Sequence, residues 1–240
     1  MKLTKSKLLK ATNEELLKLG YLQIKDTLTG ANGLFIKVID DVYFLSLGLT
    51  ISNYYDSRFT ASFYLSKSIR WSSIWGDIPQ ESYERVGSFL TKKERRLYLD
   101  DEHNKQGVID SWWSGDDEGI KNFLETVKIT ESRFLGQKNL FSKIKSSVEI
   151  KQFTDYASNV FKFIDENNDN KFNFQFTPNK KIDDIPVELF KAAEKTLSKK
   201  EGILNVNTVK ALAADVWHQI QVRPQLSILF DKLTSVKNKQ

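Results

Sequence analysis

An alternating run of apolar side chains between residues 42 and 66 constrains the fold more than any other feature of the sequence. In VYFLSLGLTIS, residues 42–52, large apolar side chains occupy every second position, and RFTASFYLS, residues 58–66, repeats the pattern after the turn-forming NYYDS. A period of two is typical of β-strands with one buried face. Together with LFIKVI, residues 34–39, these runs predict an antiparallel β-meander with one buried face.

Helices are predicted on both sides of this meander. Residues 4–19 carry leucines at helical spacing and precede Gly20, a residue type that commonly ends helices, so they predict an amphipathic helix packed over the sheet. From residue 137 onward the apolar spacing is mainly helical, and Pro224 stands where a last helix can start. The predicted C-terminal helices cover residues 150–164, 189–197, 206–220 and 226–233.

The expected fold class is therefore α+β, with an N-terminal helix and antiparallel β-meander followed by a mainly helical C-terminal half. The change of pattern predicts an α+β domain over residues 1–136 and a helical region over residues 137–240, which can also pack on the first as one unit. Phenylalanines at every second position of KFNFQF, residues 171–176, indicate a short strand within the second region.

The residue inventory argues against a metal centre. The chain has no cysteine and only two histidines, His103 and His218, which excludes thiolate sites and histidine-rich centres. DENNDNKFNFQF, residues 165–176, resembles a calcium-binding loop, but Asn170 and Phe176 stand where that loop needs Gly and Glu. We interpret this stretch as a polar turn, and we expect no metal and no cofactor.

Nothing in the sequence gives a positive case for an enzyme. The chain lacks the phosphate-binding GxxxxGK[ST] and GxGxxG patterns, and it lacks HExxH and GxSxG. The adjacent acids Asp40 and Asp41 fall between two predicted strands, where acids usually serve the turn itself. We interpret this pair as turn residues rather than as catalytic carboxylates.

Hydropathy and charge limit the classes of partner. No run approaches the roughly 20 apolar residues that span a bilayer, and Glu14 and Glu15 interrupt any signal-peptide core, so we expect a cytoplasmic protein without a membrane partner. Acidic and basic residues balance in residues 1–136, and the whole net charge of +5 falls in residues 137–240. The basic residues of 137–240 are lysines, with Arg223 as the only arginine in that range. This pattern favours a solvated lysine face over nucleic-acid binding.

Two adjacent tryptophans in VIDSWWSGDDEG, residues 108–119, mark a candidate binding segment. Apolar residues at helical spacing begin at Ile120, so a helix is expected to start before it, with Ser114 or Asp116 as its N-cap and acids in its first turn. In an extended segment neighbouring side chains point to opposite faces. Trp112 and Trp113 therefore cannot both enter the same core layer.

A second aromatic stretch, SIRWSSIWGDIP at residues 68–79, follows the last predicted strand of the meander. It contains Arg70, Trp71 and Trp75, and Trp and Arg are the side chains most enriched in binding hot spots. Two interpretations stay open: the rings close the open end of the core, or they bind a partner together with Trp112 and Trp113.

Three short motifs in residues 4–135 resemble a family of uncharacterised bacterial α+β domains. They are a helix ending at Gly20-Tyr21, a Leu47-Gly48-Leu49 step in the strands, and an Asp-x-Trp-Trp element at Asp110-Ser111-Trp112-Trp113. The resemblance implies a domain without an assigned activity, and some similar domains are suspected of protecting cells by binding toxins. The helical half is not covered by it, and the net positive charge departs from the acidic balance that neutralises a basic nuclease.

These observations predict a cytoplasmic protein that binds another protein, and the resemblance implies an immunity-like role for this binding. The alternative is an enzyme or small-ligand binder whose site lies between the sheet and the C-terminal helices.

Overall fold

The computed structural model describes residues 2–25, 31–39, 43–54, 57–66, 83–99, 111–146, 148–166, 185–201 and 206–237. The first half begins with helix α1 (Lys5–Lys18). It continues with strands β1 (Leu22–Ile24), β2 (Gly33–Val38), β3 (Phe44–Ile51), β4 (Arg58–Ser66) and β5 (Tyr83–Arg85), then with helix α2 (Lys92–Tyr98) and strand β6 (Trp113–Ser114). Helices α3 (Asp117–Leu135), α4 (Leu140–Ser146), α5 (Val148–Glu166), α6 (Val187–Glu201) and α7 (Val206–Lys237) complete the described part. The expected α+β class is confirmed.

The strands form one antiparallel sheet in the order β1-β2-β3-β4-β5, with β6 paired to β4. Leu47 lies opposite Phe35 on one side and Phe63 on the other, so large apolar side chains line up in rows across the same face. The predicted meander is confirmed, and the alternation of apolar side chains fixes the register of its strands. The short strands β1, β5 and β6 extend the sheet.

Helices α1, α3 and α4 cover the apolar face of the sheet. Leu8 and Leu16 of α1 and Phe123 and Phe134 of α3 are buried in one cluster with the apolar rows of β2, β3 and β4. Helix α4 belongs to the same core, because its Leu140 and Ile144 are buried there too. The core of the first half therefore extends beyond residue 136, the boundary expected from the sequence.

The opposite face of the sheet is also buried, so the expectation of a single buried face is wrong. One row across this face runs from Leu22 through Ile36 and Ser46 to Tyr64, and all of these side chains are enclosed. On the β1–β2 side the face is apolar and clusters with Val222 of α7. On the β3–β4 side, Phe44 and Tyr64 lie among small residues and hydroxyls such as Ser46 and Ser62, which can be enclosed at far lower cost than charged side chains.

A second core lies between helices α5, α6 and α7. Most of its buried side chains follow the predicted helical spacing: Tyr156, Ala157, Val160, Leu189, Ala192, Ala193, Leu197, Leu212, Ala213, Val216 and Trp217. Val206, which is expected on the same apolar stripe, is exposed, whereas Ala211 and Ala214 are buried in addition. Within the described ranges, every helix is too short or too polar to cross a lipid bilayer.

Helix α7 continues through Pro224, so the prediction that a separate helix starts there is wrong. Contacts on either side of the proline explain the difference. Val222 is buried against the sheet, and the Gln225 side chain forms two hydrogen bonds with the backbone of Lys25, accepting from its N–H at 2.8 Å and donating to its carbonyl at 2.9 Å. These tertiary contacts hold a helix whose interior proline costs about 3 kcal/mol locally.

Candidate interaction surface

The two adjacent tryptophans occupy different environments. Trp113 pairs with Phe59 of β4, is 1% exposed, and lies with its ring centroid 5.2 Å from that of Phe123. Trp112 is half-buried. Trp113 is thus a core residue that cannot serve as a partner-binding side chain, whereas Trp112 reaches the surface.

Asp116 is the N-cap of α3, one of the two residues predicted for this role. Its Oδ1 accepts a hydrogen bond from the Gly119 N–H at 2.8 Å, and its Oδ2 accepts one from the Ser114 hydroxyl at 2.6 Å. These two bonds, the hydroxyl bond above all, lower the pKa of the Asp116 carboxyl from its ordinary value. Asp117 and Glu118 lie in the first turn of the helix, as predicted.

The Trp112 segment packs directly against the turn that leads into α2. A Cβ atom added to Gly87 would lie 1.9 Å from the Ser111 hydroxyl oxygen, so only a glycine allows this approach. Ser111 precedes Trp112, and Gly87 belongs to the 3-10 turn Val86–Phe89, five residues before α2 begins. Ser111, next to the half-buried tryptophan, is therefore in direct contact with the turn that precedes α2.

Helix α2 is held by polar contacts rather than by an apolar face. Thr91 and Glu94 form a reciprocal capping box, and the Arg133 guanidinium of α3 donates two hydrogen bonds to the Glu94 carboxylate, at 2.7 and 2.8 Å. Arg133 also donates to the Phe89 carbonyl at 3.0 Å, and Arg95 donates to the carbonyl of Leu90 at 3.1 Å. These bonds fix the N-terminal end of the helix, and at its C-terminal end Tyr98 packs against the core.

The Glu94 carboxylate is strongly stabilised in its charged form. The hydrogen bonds from Arg133, followed by those from the backbone and hydroxyl of Thr91, lower the pKa of Glu94 to about 2. The same ion pair raises the pKa of Arg133. The one acid of α2 is consequently neutralised by α3 and contributes little negative charge to the surface around it.

The outward side of α2 is basic with an apolar centre. No side chain of this helix is fully buried, and Leu97 is 64% exposed. Lys92, Lys93 and Arg96 are exposed beside it, and they line with it a shallow depression of about 440 Å³. None of these three cations forms an ion pair with any residue that the structure describes.

Sequence reasoning did not identify α2 as a site. The helix spans seven residues and lacks an apolar stripe, so hydrophobic spacing gives no signal for it. The pattern Thr91-x-x-Glu94 is nevertheless a capping-box signature, and the basic residues around Leu97 follow it directly.

The candidate partner-binding residues Arg70, Trp71 and Trp75 lie outside the described residues, and their role stays a prediction. Also outside the described residues are Asp40 and Asp41, interpreted as turn residues, His103, and most of the calcium-loop-like stretch, from residue 167 onward. His218, in contrast, lies within the described residues, and its side chain is buried in α7.

A second polar region lies in the interior. On the second face of the sheet Ser46, Thr60, Ser62 and Ser66 are enclosed, and α7 carries a buried polar group of Asp215, His218, Gln219 and Gln221. Gln219 donates a hydrogen bond to the Asp215 carboxylate at 2.9 Å. In the described part of the chain, no cluster of three or more His, Asp or Glu side chains could hold a metal ion.

Comparison with known proteins gives no information on the candidate surface, so its interpretation rests on the geometry described above. No family model, no curated protein and no solved structure matches the chain. The resemblance of residues 4–135 to immunity-like domains therefore stays a prediction.

Proposed function

We propose that the protein acts by binding another protein, and that the exposed side of α2 is the binding surface. The observation that carries this proposal is a helix without a fully buried side chain that is nevertheless fixed at both ends and presents Leu97 to solvent. A polar helix of this length gains little stability from its own sequence. The capping box at its start and the ion pair that Arg133 of α3 forms with Glu94 supply that stability.

Rigidity favours binding because a fixed surface loses little conformational entropy when a partner docks. Leu97 supplies an apolar side chain of the kind that is desolvated at the centre of an interface, and the surrounding cations form its polar rim. Trp112 follows Ser111, which packs against the turn before α2, and we include its half-buried ring in the proposed surface.

The resemblance of residues 4–135 to immunity-like domains suggests a purpose for this binding, namely neutralising a toxin in the cytoplasm. The basic side of α2 suits an acidic partner better than a basic one. A basic nuclease is therefore not the toxin that we propose.

Photo-cross-linking from the position of Leu97 tests the proposal. The full chain carries a benzoyl-phenylalanine in place of Leu97 and is irradiated in a lysate of the source organism. The matched control carries the same cross-linker in place of Tyr54, which is 92% exposed in the turn between β3 and β4. Adducts are identified by mass spectrometry, and the captured protein is then purified and mixed with the wild-type chain on a sizing column.

We expect one discrete adduct from position 97, no such adduct from position 54, and a stable complex between the two purified proteins. The proposal fails if position 97 gives no adduct, if both positions give the same products, or if the purified pair elutes separately.

A second candidate function rests on the enclosed hydroxyls of the sheet. Ser46, Ser62 and Tyr64 face the side on which α7 packs, and such a concentration of buried hydroxyls suits a small polar ligand held between sheet and helix. A panel of small polar metabolites, assayed by thermal shift, tests this candidate. A concentration-dependent rise in melting temperature that Ser62→Ala abolishes would support it, and a flat response across the panel would contradict it.

A further inference from the structure

We infer that the partner docked on α2 is an acidic protein surface that places an apolar side chain on Leu97. This inference rests on the proposed function and adds the chemistry of the partner to it.

The one acid of α2 is neutralised, whereas three of its cations are exposed. Glu94 is neutralised by the two hydrogen bonds from Arg133, and Arg95 is turned back toward the carbonyls of Leu90 and Ser88. Lys92, Lys93 and Arg96 are left as exposed cations around the depression, without an ion pair among the described residues. Among the described residues, the net charge around the depression is therefore positive, although the charges of residues 1–136 balance in the sequence.

The apolar centre distinguishes a protein partner from a nucleic acid. A phosphate backbone would use the three cations, but it offers nothing apolar to cover Leu97. Binding to single strands usually adds aromatic rings on which bases stack. Tyr98, the one aromatic residue of α2, packs against the core instead. A protein surface with carboxylates around an apolar side chain matches both the exposed cations and Leu97.

Nuclear magnetic resonance with defined probes tests this inference. The ¹⁵N-labelled full chain is titrated at low salt with a peptide in which glutamates flank a central leucine. The second probe is the same peptide with glutamine in place of every glutamate, and the third is a single-stranded oligodeoxythymidylate. We expect the acidic peptide alone to shift the amide signals of residues 91–98, and added salt to reverse the shifts because these charges are exposed.

A charge-neutral variant shows whether the named cations are responsible. We expect K92Q/K93Q/R96Q to bind the acidic peptide at least about tenfold more weakly, while K2Q/K5Q/K10Q, which removes the same charge from exposed lysines at the N-terminus, binds it as the wild type does. Circular dichroism confirms that both variants are folded.

The inference is overturned if the glutamine peptide binds as well as the acidic one, if neither peptide shifts residues 91–98, or if the oligonucleotide shifts them more strongly. An equal loss of binding in both variants would also overturn it, because binding would then follow net charge rather than α2. The proposed function is judged separately, by the cross-link from position 97.

Discussion

Replacing Trp113 by alanine should destabilise the fold far more than replacing its neighbour Trp112. The Trp113 ring is 1% exposed, and its centroid lies 6.0 Å from that of Phe59 and 5.2 Å from that of Phe123. Removing a buried aromatic side chain costs about 3–5 kcal/mol because a cavity remains. The indole N–H is buried without a hydrogen-bond partner among the described residues, and its removal offsets about 1 kcal/mol. We therefore expect a cost of about 2–4 kcal/mol.

Thermal melting of Trp113→Ala, Trp113→Phe and Trp112→Ala measures this difference. In a chain of this length, 2–4 kcal/mol corresponds to a fall in melting temperature of roughly 4 to 16 °C. Trp113→Phe keeps an aromatic ring in the core and removes the unpaired N–H, so it should cost less than about 2 kcal/mol. Trp112→Ala should cost about 1 kcal/mol, since the ring is only half-buried.

Equal and severe destabilisation by Trp112→Ala and Trp113→Ala would refute this reasoning. Both rings would then be core residues, and Trp112 would have to be removed from the candidate surface. A Trp113→Ala variant as stable as the wild type would also contradict the packing described for β6.

Three further predictions concern the contacts that position α2 and α3. Glu94 has a pKa of about 2 in the folded protein, compared with an ordinary value of 4.5. Its contribution to stability is therefore complete above pH 4.5 and is lost as the pH falls toward 2. The difference in melting temperature between wild type and Glu94→Gln should shrink over that pH range. Asp116→Ala should cost about 1 kcal/mol in urea unfolding, whereas Asp116→Asn keeps the cap and should cost less. Gly87→Ala should destabilise by about 1–3 kcal/mol because its Cβ would overlap Ser111, and Ser111→Gly in the same chain should restore part of the loss.

The sheet was predictable because its signal is local. Alternation in residues 42–52 and 58–66 corresponds to β3 and β4, and cross-strand pairing then follows from burying the apolar rows together. The burial of the opposite face was not predictable, since it depends on Val222, which arrives from α7 at the far end of the chain. The continuous α7 was missed for the same reason: local propensity argues against Pro224, and contacts with the sheet override it.

The candidate surface was only partly predictable. Alternation correctly separated the environments of Trp112 and Trp113, but it could not indicate which ring would be buried, because that depends on the pairing of β6 with β4. Helix α2 depends on Arg133, which lies 39 residues away from Glu94 in the sequence. Only the capping pattern at Thr91 is local, and it predicts where a helix starts rather than what its exposed side does.

Isothermal titration of the partner captured from position 97 tests the central claim most directly. The purified partner is titrated into wild type, Leu97→Ala and Leu17→Ala, where Leu17 is a 49% exposed leucine of α1 that serves as the matched control. If α2 is the binding surface, Leu97→Ala should weaken binding at least about tenfold, or about 1.4 kcal/mol, and Leu17→Ala should leave it unchanged. Unchanged affinity in Leu97→Ala, or an equal loss in both variants, would contradict the assignment of α2 as the binding surface.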